Sequence, residues 1–455
     1  MTSSEASGPD SSGVQRSSRP RLAATISWIL YDLANTAYSM NVVSLYFGTW
    51  IIINLGQSDF IVSFVNSFSM ILVALTMPVL GDWSDHRGGK MALLGLFTGA
   101  CILGTAVLGL LGNHITDLHI LLPLVMAVFV IANYSYQGGL VFYNALLPAV
   151  STPRTIGRVS GYGVAIGYMG SILGLAVAGL FVDGHFYGLR IPGLTGGGTA
   201  AAFIPTALLF LFFAIPIFIF VREPYAALPG RPKWSLRESY RKTFRSLVDS
   251  RRYPGLPRFL LAKLLYEDSI ETVIIYMGIY TQAVMGFTLA EANQFFVIVI
   301  PSAVIGSALC GILTDHFGPK KTLTWVILLW VVTLTGVIAT GSRTLFWIAG
   351  CIIGMLMGST WTSARPLLIS LVPREKLGEF FGLYALSGKV AAVLGPILWS
   401  TITWSLASFG PVIKYKAAIA ALACNMAVGA WLLRRVPDHH QKSPAEPAFG
   451  LVFYS

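Results

Sequence analysis

The chain has 455 residues, of which 55% are hydrophobic and only 11% are charged, and its mean hydropathy is +0.69. Soluble domains carry about 25% charged residues, so this composition leaves no room for a sizeable soluble domain and indicates a protein held in a bilayer. A net charge of +11 would favour a nucleic-acid partner in a soluble protein, so the position of the basic residues decides its meaning.

The first segment, residues 1–21, is rich in serine and glycine and contains no apolar core. It predicts a disordered tail rather than a cleaved signal peptide, so the first apolar segment is expected to be a retained helix. The four cysteines fall in apolar segments without the spacing of a metal site or a disulfide framework. We expect them to be packing residues.

Twelve apolar segments follow, each of about 20 residues and therefore long enough to cross a hydrocarbon core about 30 Å thick. The longest polar stretch, 222–258, divides them into six and six. The sequence thus predicts an all-α membrane protein with twelve transmembrane helices in two pseudo-symmetric halves, residues 22–221 and 259–434, followed by a tail at 435–455. The expected spans are 23–53, 60–80, 91–111, 118–143, 160–182, 200–221, 259–285, 291–313, 322–340, 344–371, 380–403 and 413–433.

The basic residues lie mainly on one side of these spans. All but seven of the 31 lysines and arginines fall in the tails, the linker and the loops on the side of the N-terminus. By the positive-inside rule both termini are cytoplasmic, in an inner or plasma membrane. The net charge is thereby explained without a nucleic acid, and we expect a monomer in the lipid bilayer.

The linker 222–258 contains apolar residues at helical spacing opposite a row of basic ones. This pattern predicts an amphipathic helix lying on an anionic leaflet, and a plain connecting loop is the alternative. The apolar side of the predicted helix carries Leu236, Tyr240, Phe244 and Leu247.

A short loop sequence occurs twice, as GDWSDHRGGK at 81–90 and as GILTDHFGPKK at 311–321. Glycine permits a tight turn, and aspartate at a helix end can cap a neighbouring helix or pair with a cation. The two copies resemble the signature of the major facilitator superfamily, which implies parallel six-helix repeats and a contact that closes one face during alternating access. A positive-inside turn is the alternative. The predicted gating residues are Gly81, Asp85, Arg87, Lys90, Gly311, Asp315, Gly318 and Lys320.

A second repeat supports the two halves. Three glycines at the start of and within the fifth span recur 221 residues later, at the start of and within the eleventh. Small residues spaced four apart allow helices to approach closely, so we expect a packing surface here rather than a ligand site. The pairs are Gly157 and Gly378, Gly161 and Gly382, and Gly174 and Gly395.

Charged residues at membrane depth carry the functional prediction, because each costs roughly 2.5–3.5 kcal/mol on insertion scales and tends to face a cavity or a partner. Asp32 and Asn35 share one face of the first span, beside Tyr31. Asp32 is the strongest single candidate for a functional residue.

The seventh span carries a ladder of charges at four-residue spacing, Lys263, Glu267 and Glu271, with Asp268 about 100° round the helix. Carboxylates so close in a low dielectric do not all ionise comfortably, so one is expected to exchange protons. A static network of ion pairs formed by Lys263 and Arg365 is the alternative.

Two cations of the second half, Arg365 and Lys389, are expected opposite Asp32, where an anionic group of a solute could bind. The alternative is that both reach the cytoplasmic edge near 373–379. Amides at membrane depth line a cavity or join helices. The predicted cavity is completed by Asn133, Gln137 and Trp361.

Nucleotide and metal chemistry have no sequence support. The chain contains no GxxxxGK[ST] loop, and its histidines lack zinc-like spacing. We expect no cofactor, no metal, no direct use of ATP and no enzymatic activity.

Four stretches together resemble a narrower group, the autophagy-type vacuolar amino-acid effluxers and their bacterial relatives. They are residues 31–39, 264–273, 362–389 and the first signature loop. The resemblance implies efflux of small polar solutes, amino acids among them. The chain departs from the family pattern at Leu33, Lys263, Glu267 and Ser269.

The leading hypothesis is a secondary transporter, coupled to protons or another ion, that exports a small polar, charged or zwitterionic solute by alternating access. One alternative is an exporter of multiple drugs or lipophilic cations, which aromatic residues and membrane acids would also suit. The other is a receptor or assembly factor that keeps the scaffold without transporting.

Overall fold

The computed structural model describes residues 21–186, 189–190, 196–223, 235, 241 and 253–438. Twelve long helices make up nearly all of this part of the chain. A two-stranded antiparallel pairing, His185–Phe186 with Leu189–Arg190, follows the fifth helix. The helices are α1 (Leu22–Asn54, with π-helical turns at Ser39–Tyr46 and Trp50–Asn54), α2 (Asp59–Arg87), α3 (Lys90–His114), α4 (Leu118–Ala145), α5 (Ile156–Asp183), α6 (Phe203–Phe220), α7 (Leu256–Ala283), α8 (Leu289–Phe317), α9 (Pro319–Ala339), α10 (Arg343–Leu371), α11 (Leu377–Ser405) and α12 (Pro411–Arg434).

Short helical turns join some of these elements. An α-helical turn spans Leu147–Val150, and 3-10 turns span Thr199–Ala202, Arg374–Lys376 and Ala407–Phe409. Each predicted span corresponds to one long helix, so the predicted all-α, twelve-helix architecture is confirmed.

Hydropathy alone does not identify all twelve helices. Eleven segments of the described chain are long and apolar enough to cross a membrane. The remaining helix, α7, is 28 residues long but carries four charged residues near its middle, Lys263, Glu267, Asp268 and Glu271. Charged side chains at membrane depth are costly, so the neighbours of these four residues must explain why α7 carries them. The predicted linker helix, with Leu236, Tyr240, Phe244 and Leu247, lies outside the described residues.

Successive helices run in opposite directions, so alternate loops lie on the same face of the molecule. The loops at 88–89, 151–155, 318 and 372–376 share a face with the start of α1 and the end of α12. We call this the terminal face, and the opposite one the far face.

The two halves repeat the same helix contacts. In the first half α1 packs against α5 and α6, and α3 packs against α4; in the second, α7 packs against α11 and α12, and α9 against α10. The halves meet mainly through two pairs of helices, α2 with α11 and α5 with α8. The interface therefore has the same pseudo-symmetry as the chain.

Glycines of α5 let α1 approach closely. A methyl group on Gly170 would overlap the carbonyl of Leu33, and one on Gly174 would lie 3.0 Å from the Ala37 Cβ. Asn41 of α1 then donates hydrogen bonds to the Gly174 carbonyl and the Thr206 hydroxyl, both at 2.9 Å. Small residues and one amide thus join α1, α5 and α6.

Two helices that begin on the far face, α8 and α4, are capped by residues at their own starts. The Thr288 hydroxyl accepts a bond from the Glu291 N–H at 3.2 Å, and the Glu291 carboxylate accepts one from the Thr288 N–H at 2.7 Å. The Asp117 carboxylate accepts the His119 N–H at 2.9 Å at the start of α4. Each of these local caps pairs one N–H group of the first turn without any contribution from the other half.

Candidate functional site

Two helices that begin on the terminal face, α11 and α5, are capped by the opposite half of the protein. At the start of α11, Asp85 of α2 accepts bonds from the Gly378 N–H at 3.1 Å and the Glu379 N–H at 2.8 Å. Lys90 pairs with the same carboxylate at 2.6 Å. A methyl group on Gly81 would overlap the Gly378 carbonyl, so only glycine permits this approach of α2 to α11.

The second copy builds the same contact between α8 and α5. Asp315 accepts bonds from the Gly157 N–H at 2.6 Å and the Arg158 N–H at 3.1 Å, and the Arg158 guanidinium pairs with it at 2.8 Å. A methyl group on Gly311 would lie 2.7 Å from the Gly157 carbonyl oxygen. Both aspartates therefore join one half to the other at the terminal face.

The other predicted gating residues contribute differently. Arg87 lies over the Trp83 ring, 5.7 Å from its centroid, rather than on an acid. Lys320 donates to the Arg434 carbonyl at 3.2 Å and so holds the end of α12. Gly318 has a φ of 89°, a left-handed conformation that favours glycine at the turn between α8 and α9.

Deeper in the membrane an ion pair crosses between the halves. The Arg365 guanidinium of α10 lies 3.5 Å from the Asp32 carboxylate of α1, and both side chains are nearly buried. The guanidinium also lies 6.0 Å from the centroid of the Tyr143 ring, which stacks on Trp28 at 4.4 Å. A methyl group on Gly163 of α5 would lie 3.3 Å from the Asp32 carboxylate. Arg365 therefore reaches the first half and not the terminal edge.

A second charged cluster lies between α7 and α11. Lys263 forms an ion pair with Glu267, and its ammonium lies 3.9 Å from the centroid of the Tyr384 ring. Glu271 interacts electrostatically with Glu267, Lys263 and Lys389. Within the described part of the chain neither Glu271 nor Lys389 has an ion-pair partner within 4.0 Å.

Asp268 lies apart from this cluster. Its carboxylate accepts a bond from the Asn425 amide of α12 at 2.9 Å, and it packs against Gly395 of α11. A position about 100° round the helix from Glu267 faces these neighbours rather than the opposite half. Asp268 therefore joins helices within the second half.

Two more predicted cavity residues also lie inside one half. Asn133 donates to the Asn66 amide oxygen at 2.9 Å and to the Ser69 hydroxyl at 2.7 Å, which ties α4 to α2. The Tyr31 hydroxyl bonds the Thr98 hydroxyl of α3 at 2.6 Å. Both side chains are buried and bond residues of their own half, although the Asn133 amide oxygen has no hydrogen-bond partner among the described residues.

Three predicted cavity residues remain, Asn35, Gln137 and Trp361. Asn35 is buried one turn beyond Asp32, and its amide nitrogen has no hydrogen-bond partner among the described residues. Gln137 of α4 and Trp361 of α10 are half-buried.

Sequence reasoning missed three tyrosines that surround the charges, Tyr143, Tyr168 and Tyr384. Tyr168 of α5 interacts electrostatically with Glu271 of the second half and with Asp32 and Arg365. A tyrosine in an apolar helix is too common to stand out by type. The available signal was position, because Tyr168 directly follows Gly167, which packs against the Asp32 turn.

Comparisons with known proteins agree with this architecture. A family model described as vacuole effluxer Atg22 like matches residues 53–409. The uncharacterized MFS-type transporter YxiO of Bacillus subtilis (strain 168) is 26% identical over 425 residues, which cover 90% of this chain and 94% of that protein. The multidrug resistance protein MdtG of Rahnella sp. is 24% identical over 425 residues, covering 90% of this chain and 93% of that one.

Solved structures share the fold. The crystal structure of FucP, a major facilitator superfamily transporter in the outward conformation, superposes with a TM-score of 0.71 at 12% sequence identity. The match covers 93% of this chain and 99% of that one. The fold is therefore that of a major facilitator transporter.

Proposed function

The chain belongs to the Atg22-like family of vacuole effluxers within the major facilitator transporters, and we propose that it is a proton-coupled exporter of a small polar, charged or zwitterionic solute. Amino acids are the first solutes to test. Export proceeds by alternating access, in which the two halves rock about a binding site between them.

The observation that carries this proposal is the buried ion pair between Asp32 and Arg365. Charges at membrane depth are costly, and a pair that joins two halves which must separate is sensitive to anything that neutralises either partner. A proton on Asp32 or an anionic group of a solute on Arg365 would each compete for that pair. Proton binding and solute binding can thereby act on the same contact.

The terminal-face contacts supply the gate of this proposal. Asp85 and Asp315 hold α11 and α5 from opposite halves, so the terminal face is closed in this structure. We place the terminal face in the cytoplasm, because the sequence assigns most lysines and arginines to that side of the predicted spans. The structure is then a state in which the solute site is closed to the cytoplasm.

The chemistry of the cations favours a solute with a carboxylate. Arg365 offers a planar fork that matches a carboxylate, whereas Lys389 acts as a point charge. Three acids, Asp32, Glu267 and Glu271, balance the three cations of the two clusters. A site that is neutral overall favours a solute without net charge, as zwitterions are.

The test is solute-dependent proton flux in proteoliposomes that contain the purified protein, with a panel of amino acids and other small zwitterions. We expect proton movement with one or more of these solutes, and its loss in Asp32→Asn. Asp117→Asn is the matched control, since Asp117 is an exposed helix cap and asparagine caps equally well. Flux that is unchanged in Asp32→Asn would contradict the proposal.

A multidrug exporter is the second candidate, supported by the similarity to MdtG and by the aromatic rings beside Arg365 and Lys263. Such rings bind cations and flat apolar molecules through their faces. A resistance assay separates the two functions. Protection of cells against several unrelated lipophilic cations, lost in Asp32→Asn, would favour this candidate over a narrow solute exporter.

A further inference from the structure

A groove on the membrane-facing surface of the first half lies apart from the charged clusters. It runs between α2 and α3, which hardly touch each other, and α4 packs against both and forms its floor. The groove encloses about 330 Å³ and is lined by Leu72 of α2, Leu96 and Ala100 of α3, and Ile131 and Tyr134 of α4. This volume lies within the range of ligand pockets.

The lining of the groove is almost entirely apolar. The Tyr134 hydroxyl bonds the Thr76 hydroxyl of α2 at 2.9 Å, so the groove is lined by the ring of this tyrosine. Leu96 and Ile131 are 66% and 54% exposed, and at membrane depth that exposure is to lipid. The groove therefore opens to the hydrocarbon region of the bilayer and suits an apolar ligand from it.

The groove lies in the leaflet next to the terminal face. Leu96 and Ala100 are six and ten residues beyond Lys90, the first residue of α3, which places them about 9 Å and about 15 Å along the helix axis. A hydrocarbon core about 30 Å thick gives each leaflet about 15 Å. The groove is thus at the depth of the acyl chains of that leaflet.

A cation lies between the groove and the terminal face. Trp83 is eleven residues beyond Leu72, or about three helical turns, and so lies on the same side of α2. The exposed Arg87 lies over the Trp83 ring, 5.7 Å from its centroid. Among the residues that the structure describes, Arg87 has no ion-pair partner within 4.0 Å. A tryptophan beside a cation at a helix end is typical of the level of the lipid headgroups.

Two acids near this end of the groove are bound to other groups of the protein. Asp85 pairs with Lys90, and the Glu223 carboxylate accepts the Gly89 N–H at 2.9 Å. Arg87 therefore presents a positive charge to the headgroup region.

We propose that the groove binds one acyl chain of an anionic phospholipid from the terminal-face leaflet, with the phosphate group of that lipid on Arg87. A phospholipid carries an apolar chain and an anion in the order in which the groove and Arg87 present their partners. The inference goes beyond the proposed function, because it concerns the lipid around the protein and needs neither the solute nor the coupling ion.

The size of the groove favours an acyl chain over a helix of a second copy of the protein. A helix about 10 Å wide with a pitch of about 5.4 Å occupies about 420 Å³ per turn, which is more than the groove encloses. An acyl chain is narrower and can lie along the groove between α2 and α3.

Native mass spectrometry of the full-length protein tests this site. The protein is titrated in detergent with phosphatidylglycerol or with phosphatidylcholine of the same chains, which differ in net headgroup charge. Ala100→Trp fills the groove from α3 and Leu72→Trp fills it from α2, so the result does not depend on one variant folding. Ala427→Trp is the matched control, because Ala427 is exposed on α12, outside the groove and on the side of the terminal face.

We expect one phosphatidylglycerol molecule to stay bound to the wild type and to Ala427→Trp. Its affinity should fall on the order of tenfold or more in Ala100→Trp and Leu72→Trp, since displacing even two methylene groups from an apolar site has an effect of that size. The wild type should prefer phosphatidylglycerol over phosphatidylcholine by about fivefold, the value of one cation near an anionic headgroup. Arg87→Gln should lose this preference and still bind the chain.

Three results would overturn the proposal. Equal lipid binding by the two filled variants and by Ala427→Trp would show that the chain lies elsewhere. An undiminished preference for phosphatidylglycerol in Arg87→Gln would remove Arg87 from the headgroup site. A wild-type dimer that Ala100→Trp and Leu72→Trp dissociate, with no lipid retained, would assign the groove to a second copy of the protein.

Discussion

The two contacts that close the terminal face share a backbone geometry but differ in their charges. In both, an aspartate at the end of one helix caps a helix of the other half. At the α5–α8 contact the cation, Arg158, belongs to the capped helix and is 46% exposed. At the α2–α11 contact the equivalent position is Glu379, which is buried, and the cation is instead the buried Lys90 of α3.

This difference shows which part of the repeat is constrained. The caps and the close glycine approaches need one geometry, so both halves keep them. The cation can come from a different helix in each half, as long as it neutralises the charge of the aspartate. The α2–α11 contact thus depends on a desolvated ion pair, and the α5–α8 contact on a partly hydrated one.

The largest expected effect comes from removing the two aspartate charges separately. Asp85→Asn leaves Lys90 buried without its partner, which should cost about 3 kcal/mol, whereas Asp315→Asn leaves Arg158 in water and should cost less than about 1 kcal/mol. Thermal unfolding of the purified variants in detergent measures both. Equal losses in the two variants would show that the contacts are equivalent.

A smaller difference is expected from filling the close approaches. Gly81→Ala places a methyl group on the Gly378 carbonyl and should destabilise the closed terminal face by about 1–3 kcal/mol. Gly311→Ala meets a looser contact and should cost less. Gly99→Ala is the control, because nothing lies within 4 Å of its new methyl group. Thermal unfolding of the three variants measures these losses. An unfolding temperature lower for Gly311→Ala than for Gly81→Ala would contradict the prediction that the α2–α11 approach is the tighter one.

The smallest effect is expected on the far face, where α8 is capped by its own residues. Thr288→Ala removes one hydroxyl from the capping box of α8 and should cost about 1 kcal/mol. Because this cap joins no residues of opposite halves, transport measured at a temperature well below unfolding should not change. A transport defect with intact stability would mean that the far face also takes part in gating.

The architecture could be predicted because its signals are repeated. Apolar spans recur twelve times, and the aspartate loop and its glycines recur twice. The capping role of Asp85 and Asp315 also follows from chemistry available in the sequence, because an aspartate at a helix end has few other partners. The span 259–285, which is α7, was predicted as well, although its charges set it apart from the eleven more apolar helices of the described chain.

The composition of the site was harder to predict. Helical periodicity shows which residues share a face of a helix, but not which neighbouring helix that face contacts. Asp268 and Asn133 are polar at membrane depth, as the cavity residues are, but each faces another helix of its own half. Tyr168 was missed for the opposite reason, because a tyrosine among apolar residues carries no charge to mark it. The surroundings of all three side chains are set by how the helices pack, which the sequence pattern does not show.

The most direct test of the central claim is the distance between the halves at the terminal face when Asp32 loses its charge. Spin labels at positions 87 and 375, with the native cysteines replaced by alanine, report this distance in liposomes by double electron–electron resonance. The account predicts a short distance in the wild-type background and a second, longer one in Asp32→Asn, because the ion pair with Arg365 is lost. The same short distance in the wild-type background and in Asp32→Asn would contradict the claim that this ion pair controls the separation of the two halves.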